Sequence, residues 1–185
     1  MDMTMSNETF NEHVTEYVTV MIGDQLFGLP ISRVQDVFMP DRLTRVPLSS
    51  PEIAGVLNLR GRIVTAVDLR LRLGLAPRSD GRPPMAVGIE LKGESYGLLI
   101  DSVGEVMKLL NGAREANPVN LDARLARVSA GVHRLEGQLM VILDVDRVLD
   151  MTAADPLAAR GRIVFYEHDS EKWVPVFGKR SCFNE

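Results

Sequence analysis

A mostly β fold, built twice over, is what this sequence predicts, and three observations predict it. First, the segment Phe27 to Phe38 aligns without a gap on Tyr96 to Met107, an offset of 69, with five of twelve positions identical. Gly55-Val56, Leu59, Gly61 and Asp68 then recur as Gly131-Val132, Leu135, Gly137 and Asp144 at an offset of 76, so seven extra residues lie between the two blocks. Convergent strand patterns would match apolar positions alone, whereas glycines and acids matched in the same order mark a duplication into two related lobes of roughly 70 residues. Second, runs of β-branched and aromatic residues flank short turn signals. Third, the apolar runs are short, the longest being Leu139 to Leu143.

Residues 1–14 are polar and are expected to form a flexible leading segment. Without an apolar stretch they do not read as a secretory signal, which points to a cytoplasmic protein. Tyr17 to Ile22, the turn Gly23-Asp24 and Gln25 to Leu29 predict a hairpin. Arg33 to Met39 and Arg42 to Val46 continue as strands, broken at Pro40-Asp41 because proline gives the ladder no donor. Ser50-Pro51-Glu52 reads as the start of a one-turn helix ended by Gly55. Arg62 to Val67 is a buried strand leading to Asp68, placed to cap a short helix. The second lobe repeats the plan: Met85 to Leu91, the turn Lys92-Gly93, Ser95 to Ile100, then Gly104 to Leu110, and finally Gln138 to Leu143 leading to Asp144. Five or so short strands per lobe suggest small closed barrels, which leave no exposed edge.

After Asp155-Pro156 the pattern stops. Residues 152–185 form an extension of unassigned role that carries five of the ten aromatics, Phe165, Tyr166, Trp173, Phe177 and Phe183, a density unlike a disordered tail. Ile163 to Tyr166 and Trp173 to Phe177 have the look of paired strands around His168-Asp169-Ser170. The extension covers a barrel edge, recruits a further partner or has no role. Arg160 to Val164 repeats Arg60 to Val64, without the flanking pattern.

The chain has 185 residues, 45% apolar and 25% charged, which is the composition of a folded domain. No apolar run approaches the roughly 20 residues of a membrane helix. The formal charge of −4 provides no basic field for nucleic acid. A rival reading as a nucleic-acid-binding barrel rests on Arg60, Arg62, Arg70 and Arg72 forming a basic stripe. The lone Cys182 excludes an internal disulfide and cysteine metal clusters, and His13, His133 and His168 have no second ligand at metal spacing. Asp144 and Asp146 are a spacing common on solvated faces. No nucleophile elbow, phosphate loop, zinc helix or dinucleotide fingerprint occurs, so neither catalysis, cofactor nor metal is expected and the function is expected to be binding.

Gly55-Val56-Leu57-Asn58-Leu59-Arg60-Gly61, followed by Val67-Asp68-Leu69-Arg70, closely resembles the signature of the CheW family of chemotaxis coupling proteins. The resemblance spans about residues 15–151, in lobes of approximately 15–80 and 81–151, and departs where the family usually has proline and a bulky aliphatic but this chain has Thr65 and Ala66. It implies two intertwined five-stranded, SH3-like β-barrel lobes with short connecting helices, and a non-catalytic adaptor that binds the regulatory domain of a CheA-type histidine kinase and the cytoplasmic tip of a chemoreceptor. Such a protein is cytoplasmic and recruited to receptor arrays, without membrane insertion. Carried over position by position, the receptor-binding residues are Val34, Gly55, Asn58, Arg60, Ala86, Gly97 and Val103. Without the resemblance, Val34, Ala86 and Val103 read as core, and Gly55 and Gly97 read equally well as a close approach to a partner or as a turn requirement. The kinase-binding patch is placed around Asp36, Phe38, Leu43 and Val46, with the condition that two of these point outward to form an apolar centre. Arg60→Ala and Gly55→Asp are expected to impair receptor-dependent kinase activation with the fold intact.

Overall fold

The computed structural model describes residues 13–79 and 81–151; the extension with Cys182, His168 and its aromatics lies outside the described residues, as do residues 1–12. The first repeat contributes β1 (Val14–Ile22), β2 (Gln25–Pro30), β3 (Val34–Phe38), β4 (Leu43–Thr44), β5 (Ile53–Leu59), β6 (Arg62–Asp68) and α1 (Leu69–Arg72). The second contributes β7 (Met85–Leu91), β8 (Glu94–Ile100), β9 (Ser102–Leu110), α2 (Ala123–Val128), β10 (Ser129–Leu135), β11 (Gln138–Leu143) and α3 (Val145–Leu149).

Both hairpins form at the turns expected of them, β1 with β2 and β7 with β8. Both aspartates cap as expected: Asp68 accepts from the Arg70 and Leu71 amides, and Asp144 from those of Asp146 and Arg147. Ser50-Pro51-Glu52, in contrast, starts no helix. The Ile53 amide donates to the Ser50 carbonyl at 2.9 Å in a tight turn, and the Glu52 carbonyl is taken by the Asp68 amide at 2.8 Å, so the segment already belongs to the sheet. The helix α2, capped by Asp122 on the Arg124 amide, occupies the longer connection of the second repeat and was not foreseen.

Two open sheets result, ordered β10-β11-β2-β1-β9 and β3-β7-β8-β6-β5-β4. Each takes strands from both repeats. The β1–β2 hairpin joins the second repeat through a parallel pairing of β2 with β11, and the β7–β8 hairpin joins the first through β8 with β6. The two closed five-stranded barrels expected from the sequence are not what forms. Pro40 and Asp41 interrupt the strand that would close the six-stranded sheet, so its halves β3 and β4 lie at opposite edges. In the five-stranded sheet the turn Asn111–Ala113 ends β9, and only an isolated bridge from Glu115 to Val132 reaches the opposite edge.

Strands β7 and β8 bury both faces, which explains their continuous apolar reading. Val87, Ile89, Leu98 and Ile100 enter a central core shared with Val20, Phe27, Val141 and Leu143 of the other sheet. Ala86 and Leu99 face a smaller outer core with Leu57, Val64 and Ala66, to which the small Ala66 brings its strand close beside Gly97. A second outer core holds Tyr17, Met140 and Ile142, and the repeat offsets place these opposite Ala86, Val64 and Ala66. At the position of Leu57 the second repeat has His133, 2% exposed, its ring 5.7 Å from that of Tyr17 and its Nε2 without a partner among the described residues.

Burial, aided by the positive charge of Arg114, lowers the His133 pKa below 6.5, against a hydrogen bond with the Ala113 backbone and the Glu115 charge. The unfolded chain therefore binds the proton first, and stability falls as the pH drops below 6.5 toward the folded value. His133→Leu, which restores the first repeat's residue, removes an unsatisfied buried nitrogen and is expected to add about 1 kcal/mol at pH 7. It is also expected to flatten urea midpoints measured between roughly pH 7 and 5; an unchanged pH slope would show that another group is responsible.

Candidate functional site

The six-stranded sheet gathers most of the expected site residues around its outer core. Arg60 and Gly61 form the turn between β5 and β6, where Oδ1 of Asn58, near the end of β5, accepts from the Gly61 amide at 2.8 Å and Arg60 takes a left-handed φ of 51°. Arg60 is exposed and reaches across to Asp36 on β3, Nη2 to Oδ2 2.8 Å, so an ion pair ties the β5–β6 turn to the edge strand β3. Asp36 also accepts from the Val37 amide at 2.9 Å. Phe38 is half-buried against the outer core, and its register partner is Ala86 on β7.

Three of the positions expected at the receptor face have no exposed surface. Ala86 is fully buried. Gly97 is buried beside Leu57, whose Cδ2 would stand 3.2 Å from an added Cβ. Gly55 is buried at a bulge of β5 with φ 147°, and a Cβ there would meet the Thr44 carbonyl oxygen at 2.2 Å. Gly55→Asp therefore does not leave the fold intact, a correction to the sequence expectation: the glycine is required by a neighbouring backbone. Val34 and Val103 are half-buried and pack against the central core.

Two groups of outward-facing apolar side chains line grooves or paired strands, while Met39, Leu48, Ile63 and Val119 are exposed elsewhere. Leu43 on β4 and Val46 just beyond it, 37% and 42% exposed, line a groove of about 610 Å³ between the β4–β5 connection and the 76–84 linker. These are two of the four residues of the expected kinase patch. The second group lies where β1 and β9 run beside the turn Ile31–Arg33. Val14 pairs with Leu110 and Val18 with Val106, and between them Glu16 and Lys108 form an ion pair at 2.8 Å. Val14, Ile31, Val106 and Leu110 are all exposed there.

Sequence reasoning missed this second face, because each of its residues reads as strand core. The repeat does carry a signal: Ile31 and Val106 are exposed, while their twins Ile100 and Val37 are buried and half-buried. Duplicated positions that differ in burial mark where the two halves have different tasks.

The basic stripe of the rival reading does not form. Arg60 is paired with Asp36, Arg70 with Asp101, and Arg72 donates to the carbonyls of Arg147, Val148 and Asp150. Only Arg62 of the four is left with no such role among the described residues. No helix of the described residues is long and apolar enough to cross a membrane.

Fold and surfaces together define a duplicated, strand-exchanged β module with two distinct apolar faces. Residues 16–153 match the family described as CheW-like domain, and the chain belongs to that family. It is similar to the chemotaxis protein CheW of Helicobacter pylori, 26% identical over 144 residues that cover 78% of this chain and 87% of that protein. A similar likeness holds to the chemotaxis protein CheW of Thermotoga maritima, 26% over 135 residues, 73% of this chain and 87% of the relative. The crystal structure of the scaffolding protein TtCheW from Thermoanaerobacter tengcongensis superposes with a TM-score of 0.66 at 24% identity, over 75% of this chain and 94% of that one.

Proposed function

We propose that this chain is a non-catalytic chemotaxis adaptor, active in the cytoplasm at receptor arrays, which couples the cytoplasmic tip of a chemoreceptor to the regulatory domain of a CheA-type histidine kinase. The observation that carries the reading is the presence of two separated exposed apolar surfaces on one scaffold, in a chain of the CheW-like domain family. Holding both partners at once turns the second encounter into an intramolecular one and raises local concentration without a chemical step. Receptor state changes kinase output when the two receptor conformations bind the adaptor with different affinity.

The coupling domain is residues 15–151. Val34, Val103, Ile31 and Val106 belong to the receptor-facing side, with Ile31 in the groove that also holds Glu16 and Lys108. Asn58 and Arg60 form the polar border. Gly55, Ala86 and Gly97 act by shaping the sheet beneath. Leu43 and Val46 are the apolar centre of the kinase-facing side, Phe38 packs on the outer core of the same sheet, and Asp36 holds Arg60 in place.

Arg60→Ala tests the reading. The ion pair of a 79% exposed arginine contributes at most about 1 kcal/mol to stability, so the fold persists. A charged contact at the polar border of an interface is worth up to about 1 kcal/mol, which predicts a loss of receptor-dependent kinase activation of roughly fivefold. Reconstitution of receptor, kinase and adaptor measures it; activation and pull-down at wild-type levels would refute the assignment of Arg60.

A further inference from the structure

We infer that the groove beside Leu43 and Val46 receives an acidic, apolar-bearing peptide segment of the kinase partner, with Arg45 as the residue that pairs with its carboxylate. The inference rests on the kinase-facing reading above and adds the chemistry of what binds there. The groove carries Arg45, Arg70, Arg78 and Arg82 against Asp68 and Asp101. Both carboxylates are committed to the protein itself. Asp68 caps α1, and Asp101 accepts from Arg70, Arg78 and the Gly23 amide. Arg70 and Arg78 are paired with Asp101, which leaves Arg45 as the groove arginine available to an outside carboxylate.

Arg45 is exposed at the mouth and makes no hydrogen bond or ion pair among the described residues. A guanidinium so placed offers a two-pronged donor to a carboxylate, a stronger match than an ammonium. The same groove is lined by the apolar side chains of Leu43, Val46, Ile53, Leu71 and Leu99. A free anion would gain nothing from that apolar lining, and a wholly apolar segment nothing from Arg45. A segment carrying a leucine-like or valine-like side chain beside Asp or Glu satisfies both, and at about 610 Å³ the groove is large enough for several side chains.

The test is titration of the full chain with the purified CheA-type kinase encoded in the same genome, using wild type, Arg45→Glu, Arg45→Lys and Leu43→Asp, at about 50 and 500 mM sodium chloride. The expected result is an affinity for wild type that falls about tenfold across that salt range, a loss of at least tenfold for Arg45→Glu at low salt, and partial retention for Arg45→Lys. Arg45→Glu removes no contact of the fold, and circular dichroism confirms that each variant is folded. Arg45→Glu binding as tightly as wild type at low salt, while Leu43→Asp still weakens the complex, overturns the acidic partner and keeps the kinase-facing assignment. Wild-type affinity for both variants, or no binding by wild type, overturns both.

Discussion

Asp101→Ala is expected to lower folding stability by about 3 kcal/mol, seen as a reduced urea midpoint at unchanged slope. One carboxylate at the end of β8 ties three parts of the chain. It accepts from the Gly23 amide at 2.7 Å, from Arg70 Nε and Nη2 at 2.8 and 2.6 Å, and from Arg78 Nη2. Gly23 belongs to the β1–β2 turn, Arg70 to α1, and Arg78 to the linker between repeats, where it also donates to the Ile100 carbonyl at 2.7 Å. The side chains of Arg70, Arg78 and Asp101 are 22%, 15% and 17% exposed, so deletion of the acid leaves two guanidinium groups largely out of water with their shared counter-ion gone. Such a one-sided loss costs more than the net worth of the pair.

The same geometry fixes a pH dependence. Burial works to raise the Asp101 pKa, but the hydrogen bond from Arg70, that from the Gly23 amide, and the charges of Arg78 and Arg70 outweigh it and hold the carboxyl below 3.8. A depressed acid stabilises the fold fully above its unfolded pKa and loses that contribution as the pH falls through the folded one. Wild type is therefore expected to lose stability below pH 3.8 by an increment that Asp101→Asn lacks. Equal acid sensitivity in the two proteins would assign the increment to other carboxylates.

Much of this fold is legible locally. The hairpins are announced by two-residue turns, and the caps by an aspartate after an apolar strand, because both depend on residues adjacent in sequence. What is not legible is which hairpin joins which sheet. The parallel pairings of β2 with β11 and β6 with β8 connect residues more than 25 positions apart, and no local pattern reports them. Bulges hide the faces as well. The register of β9 against β1 shifts between Val18 and Val20, and alternation counted through that shift puts Val106 on the wrong side. Asn58 and Arg60 were legible as surface because they sit at a turn, whereas the outward orientation of Leu43 and Val46 was only a condition until the edge strand β4 was seen to expose them. Gly55, Ala86 and Gly97 were not separable from partner contacts, since a small residue serves close approach to a partner and to a neighbouring strand alike.

Gly55→Ala is expected to be among the most damaging single-methyl changes in the molecule, at about 4 kcal/mol or complete loss of folding. The new Cβ would lie 2.2 Å from the Thr44 carbonyl oxygen and 2.8 Å from its carbon, both backbone atoms, at a φ of 147° that side chains rarely adopt. The clash cannot be relieved by a rotamer change; β4 must leave β5. Its twin Gly131 has φ 132° and would meet the Glu115 carbonyl oxygen at 2.6 Å, so Gly131→Ala should damage the other sheet in the same way. Gly61 supplies the control. With φ 84° and open space around its absent Cβ, Gly61→Ala costs only the backbone strain of about 1 kcal/mol. Urea midpoints for the three variants therefore separate steric approach from conformational strain. If Gly55→Ala costs no more than Gly61→Ala, the β4 backbone does not lie against Gly55 in solution, and the placement of Leu43 and Val46 at the groove loses its support, since the same short strand and its continuation present both.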